Sequence, residues 1–198
     1  TIAEPAEAIY KERSSKFLTY AYPVESEEEI KELLDALRKE YYDATHHCYA
    51  YRLGAQGEVF RANDDGEPSG TAGKPILGQL LSADLTNCLV VVVRYFGGVK
   101  LGTGGLVVAY KTAAAEALQN ATIEERIITA SISFSVPYAD ADTAMRFVKE
   151  EGAEITARDY TATDTLLTAS IRLDDEERLR QRLSKILSLR FTDAEEEF

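Results

Sequence analysis

The chain has 198 residues, long enough for one or two domains, and its 45% apolar and 28% charged side chains are those of a folded globular protein. A net charge of −12 excludes a protein that coats nucleic acid indiscriminately, because that needs clustered Lys and Arg. The chain lacks an apolar run of about eighteen residues, so no membrane-spanning helix is expected, and the opening Thr1-Ile2-Ala3-Glu4 has no basic-then-apolar leader, so the expected location is the cytoplasm.

In chain order, residues 16–24 read as a first strand that Pro23 closes. Ser26 and Glu29 have the spacing of a capping box, and Ile30, Leu33, Leu34 and Leu37 follow at helical intervals, which predicts an amphipathic helix to about Tyr41. Residues 47–53 and 57–62 form an aromatic hairpin pattern around Gly54. Residues 63–75, rich in glycine and proline, read as a shaped loop. Pro75 then suits the first turn of a helix ending near Ala83. Residues 88–96 hold Leu-Val-Val-Val-Val, an apolar run without alternation, which predicts a central strand covered on both faces. A glycine-rich turn over 97–105 leads into an alanine-rich helix over 106–119, with Thr103 as its expected cap. The element order mixes a hairpin with helices, so α+β layers with helices on one side of a sheet are expected.

Near residue 127 the pattern changes to Ile128, Ala130, Ile132, Phe134 and Val136 alternating with Thr and Ser, a new strand. A helix over 139–151, strands over 153–162 and 165–173, and a helix over 174–187 complete a βαββα order, the pattern of a ferredoxin-like split βαβ unit. The tail is expected to add a short strand and then a solvated acidic run over 193–197. Two domains, 1–127 and 128–198, are the expected division.

Each half carries a net −6, but residues 85–115 contain no Asp or Glu and three cations, Arg94, Lys100 and Lys111. The same stretch holds Gly97, Gly98, Gly102, Gly104 and Gly105, which with Thr103 form a strand-to-helix turn. Such a turn collects free N–H groups and a helix dipole and suits a phosphate or carboxylate. It is neither a P-loop nor a GxGxxG fingerprint, and glycines of this kind also serve close packing or positive φ. Asp64, Asp65 and Glu67 in the preceding loop have two readings: ion pairing with Arg94 or Lys100, or capture of a divalent cation that bridges to a phosphate. His47, Tyr49 and Tyr51 share one strand face, either a base-stacking surface or ordinary packing. Cys48 and Cys88 have no ligand spacing and read as buried thiols. In the last helix Arg178, Arg182 and Lys185 read as a solvated face paired with Asp174, Asp175 and Glu177.

Three segments, Asp64-Asp65-Gly66-Glu67-Pro68-Ser69-Gly70-Thr71-Ala72-Gly73-Lys74-Pro75, Val93-Arg94-Tyr95-Phe96-Gly97-Gly98 and Leu101-Gly102-Thr103-Gly104-Gly105-Leu106, resemble the motifs of the IMPACT family and its YigZ-like bacterial members. Lys16-Phe17 and His47-Cys48-Tyr49-Ala50-Tyr51 extend the likeness over most of residues 10–120. The resemblance implies an N-terminal domain like ribosomal-protein domains and small-molecule kinase halves, with a left-handed connection, and a C-terminal ferredoxin-like domain similar to those of elongation factor G. It implies a role in translation, because eukaryotic members are linked to its control through the starvation-sensing kinase pathway. The expected anion site is Arg94, Gly97, Gly98, Lys100, Gly102, Thr103, Gly104 and Gly105, with His47, Asp64, Asp65, Glu67, Ser69, Thr71 and Lys74 as the supporting cleft. The function expected first is a translation-associated regulator binding RNA, the ribosome or a translation factor, with no membrane and no DNA partner, no cofactor and no metal. A protein-only adaptor and a Mg-dependent enzyme acting on a phosphorylated small molecule are the alternatives.

Overall fold

The apolar run Leu89 to Val93 cannot present either face to water, and in the computed structural model, which describes residues 1–192, it lies in the central strand of the first sheet. That sheet contains β1 (Ala6–Glu12), β2 (Ser15–Pro23), β3 (His46–Leu53), β4 (Val59–Asn63) and β5 (Cys88–Tyr95) in the order β1-β2-β5-β3-β4. Every pairing is antiparallel. Alternate residues of β5 feed two separate cores. Cys88, Val90 and Val92 pack with α2 (Gly73–Ser82) and α3 (Gly102–Asn120), and Leu89, Val91 and Val93 pack with α1 (Glu27–Glu40). Helices therefore cover both faces, which corrects the expectation of helices on one side. The cause is visible in β2 and β3 as well, where Phe17 and Leu18, or Cys48 and Tyr49, are neighbouring apolar residues pointing in opposite directions, each buried.

The capping box at the start of α1 forms with a small change. Ser26 Oγ accepts from Glu29 N at 3.2 Å, while the Glu29 carboxylate reaches Glu25 N at 2.8 Å. Ile30, Leu34 and Leu37 are its buried stripe, laid on Tyr49 and Tyr51. Those tyrosines are 7% and 4% exposed, so they form a packing face and present no surface for stacking bases.

The second unit begins at Ile127; the first runs from Thr1 to Arg126. It contains β6 (Thr129–Pro137), α4 (Tyr138–Glu150), β7 (Glu154–Tyr160), β8 (Asp164–Arg172), a 3-10 turn over Leu173–Asp175, α5 (Glu176–Leu183) and β9 (Arg190–Phe191). Its sheet has the antiparallel order β7-β8-β6-β9, the connectivity of a split βαβ unit. Ile132, Phe134 and Val136 lie beside Leu167, Ala169 and Ile171 on one sheet face and pack with the helical residues Ala144, Val148, Leu179 and Leu183. The last helix stops at Leu183, short of the expected 187, because Leu187 is 90% exposed and offers no burial to extend it. Two of its arginines, Arg178 and Arg182, each reach Glu151, the C-cap of α4, at 2.5 Å, and Arg178 also pairs with Asp175. The acidic run 193–197 lies outside the described residues. Among the described residues no helix is long and apolar enough to cross a membrane.

Candidate functional site

The loop between β4 and α2 is organised by Asp64. Its two carboxylate oxygens accept from the backbone N–H groups of Gly70 (2.8 Å), Ala72 (3.1 Å) and Gly73 (2.8 Å). Burial would raise its pKa, but these three donors and the neighbouring Lys74 outweigh that effect and hold the carboxyl below the ordinary aspartate value. Gly73 is required by contact: a Cβ there would sit 2.6 Å from Asn63 N. Asp65 follows at φ +43°, and its carboxylate accepts from His47 N at 2.6 Å while its carbonyl meets His46 Nδ1 at 2.7 Å. Thr71 is buried and bonds the Pro68 carbonyl at 2.6 Å; Ser69 and Lys74 are exposed.

Glu67 is turned inward. It is 8% exposed, and its Oε1 accepts from Arg94 Nη1 at 2.5 Å and from the Tyr110 hydroxyl at 2.7 Å. Tyr110 in turn accepts from Cys48 Sγ at 3.3 Å. Burial is the main cause holding both the Tyr110 hydroxyl and the Cys48 thiol in their neutral forms. Arg94 Nη2 reaches Ser15 Oγ at 3.3 Å, and the guanidinium lies against Phe17 and Phe96 at 5.5 and 5.6 Å from their ring centres. Its Nε is buried with no hydrogen-bond partner. All three loop carboxylates thus face N–H or O–H donors. Of the three only Glu67 makes the expected ion pair, with Arg94; Asp64 and Asp65 are held by backbone N–H groups, and donors so placed are the wrong sign for a divalent cation.

The glycine turn packs on the β1–β2 hairpin. Gly97 N donates to Ser15 Oγ at 3.3 Å, and a Cβ at Gly97 would collide with the backbone of Ser14 and Ser15. Gly98 and Gly102 have φ of +85° and +72°. The helix α3 begins at Gly102, four residues earlier than expected, and Leu101 occupies the cap position without any side-chain bond, so Thr103 is not the cap. The first N–H groups of a helix have no intrahelical acceptor, and here no side chain replaces one.

Between this helix start and the end of β5 lies a cavity of about 380 Å³. Arg94, Lys100, Gly102, Thr103 and Glu67 line it as charged or polar groups. Phe96, Leu101, Leu106 and Pro68 give it apolar walls. Lys100 is exposed and has no carboxylate partner among the described residues. Of the expected cleft residues only Glu67 reaches the cavity. His47 does not: it faces α1, its Nε2 lies 3.1 Å from the Tyr41 carbonyl, and burial lowers its pKa against the pull of Asp65. The histidine of the cavity is His46, with Nε2 3.7 Å from Glu67 Oε1. Strand alternation already put His46 on the Cys48 face; the missing information was the register, which sets His46 opposite Arg94.

A protein of two α/β units, the first with a cation-lined cavity at a glycine-rich helix start, is the class that fold and geometry define. A profile of the Impact N-terminal domain matches residues 13–118. The chain belongs to the IMPACT family. It is 39% identical over 138 residues to the family member YvyE of Bacillus subtilis, covering 70% of this chain and 64% of that one, less than two thirds of the relative's length. It is 34% identical over 162 residues to YigZ of Escherichia coli, covering 81% and 79%, and 47% identical over 126 residues to a Thermus thermophilus member, covering 64% and 67%. A solved structure of a hypothetical protein aligns over 99% of this chain and 97% of its own, at 32% identity and a TM-score of 0.69.

Proposed function

We propose that this is a translation-associated regulatory protein that takes a phosphate of RNA, free or within the ribosome, into the cavity between β5 and α3. Membership of the IMPACT family supports the link to translation. The observation that carries the ligand is Lys100: a cation with no carboxylate partner among the described residues, at a cavity with Arg94 in its wall and a helix start at its side. Arg94 is already neutralised by Glu67, so its part is to keep the wall rigid while Lys100 supplies the positive charge that meets the ligand.

The test is binding of single-stranded RNA and co-sedimentation with ribosomes, wild type against Lys100→Glu. A charge-assisted contact of this kind corresponds to a loss of about tenfold or more in affinity. Equal binding by the two proteins overturns the reading. If partners captured by the protein survive nuclease treatment and RNA does not bind, the protein-only adaptor takes its place.

A further inference from the structure

A second cavity, of about 300 Å³, lies on the other side of Leu101 and is lined by Tyr10, Glu12, Arg13, Gly104, Gly105 and Val108, among others. The two cavities share Leu101 and the first turn of α3. Each offers a phenyl or phenol ring and cationic side chains, Phe96 with Lys100 and Arg94 in the first and Tyr10 with Arg13 in the second. In the second, Glu12 accepts from the Tyr10 hydroxyl at 2.9 Å and lies 3.9 Å from Arg13, so its charge is locally balanced.

Gly104, like Gly78 in α2, is a glycine that neither backbone conformation nor close packing requires. Its φ is not positive, and a Cβ built on it meets nothing within 4 Å. Glycine inside a helix weakens it relative to alanine, so retaining one in the first turn has an energetic cost without a structural return. What its missing side chain leaves empty is the second cavity. In the first cavity Arg94, 4% exposed and bonded to Glu67 and Ser15, forms part of the wall beside Lys100.

Resting on the RNA reading above, we infer that the site holds two consecutive nucleotides: one base in each cavity, against Phe96 and Tyr10, with the linking phosphate over the first turn of α3 beside Lys100. The two cavities adjoin at Leu101, as sites for neighbouring bases must, and base stacking on aromatic rings is tolerant of sequence.

The experiment compares, by NMR titration of the full chain, the dinucleoside monophosphate ApA with the methyl ester of adenosine 3′-phosphate, which carries the same single charge and only one base. The wild type binds ApA roughly tenfold tighter, the gain expected of one more stacked base. In Gly104→Leu, which fills the second cavity, and in Tyr10→Leu, which removes its ring, the ratio falls to about one. A wild-type ratio near one, with both ligands bound in a salt-dependent way, overturns the two-nucleotide site and leaves the RNA reading standing. A high ratio unchanged in both variants also overturns it, since the second base then lies elsewhere. Failure of both ligands to bind the wild type removes the RNA reading itself.

Discussion

Glu67 and Arg94 are both almost withdrawn from water and pair with each other at 2.5 Å, with the His46 imidazole a further neighbour of the carboxylate at 3.7 Å. Breaking such a pair leaves a buried charge uncompensated, so Glu67→Gln is expected to destabilise the fold by about 3 kcal/mol, read as a shift of the urea midpoint. Replacing both residues with apolar ones of similar size should recover most of that loss, because the cost lies in the orphaned guanidinium. Acid acts on two other residues in the same direction. The folded state keeps the pKa of His47 below the ordinary 6.5, so as pH falls below that value the unfolded chain binds a proton that the native imidazole resists, and stability declines. Asp64 repeats this lower down. Its folded carboxyl is held below the ordinary 3.8, so the stability it contributes is present above 3.8 and is lost as pH falls through the folded value. Urea midpoints measured against pH should fall in these two windows, and His47→Gln should flatten the upper one.

Among the elements, the glycine turn and the helix after it separate two uses of the same residue type. Gly97→Ala forces a methyl group into the Ser14–Ser15 backbone and is expected to destabilise by about 1–3 kcal/mol, whereas Gly104→Ala meets open space and is expected to stabilise by up to about 1 kcal/mol. Thermal melting of the two variants checks both signs. The contrast also explains what could be read in advance. Ser26 and Glu29 announced α1, the unbroken valines announced β5, and the Ile/Ser alternation announced β6, because each pattern is local. The strand β1 was not legible, since its hairpin turns at Arg13 and Ser14, both at positive φ without the glycine or asparagine that usually marks such a turn. The start of α3 was missed because its glycines read as loop, although the helix already runs through them. For the site, Arg94, Lys100 and Glu67 were visible as charges in odd company. His46, Phe96 and Leu101 were not, because lining a cavity depends on sheet register and on how the helix start packs, which no local pattern encodes.

At the scale of the whole molecule a −12 protein that binds a polyanion must work against its own field, and this sets a measurable limit. For single-stranded nucleic acid the logarithm of affinity falls with the logarithm of salt at about −0.7 per phosphate neutralised. Lys100 is the cation of the first cavity without an internal partner, so about one phosphate is neutralised there and a slope near −0.7 is the steepest that cavity supports. Added salt also screens the repulsion from the acidic remainder, which makes the observed slope shallower still. The expected result is a slope between zero and about −0.7 for the wild type, flattened further in Lys100→Glu, where a basic RNA-coating domain would give several times that value. A steep slope would mean that further cations join the contact, and the interface would then have to extend beyond the cavity onto a surface whose net charge opposes it.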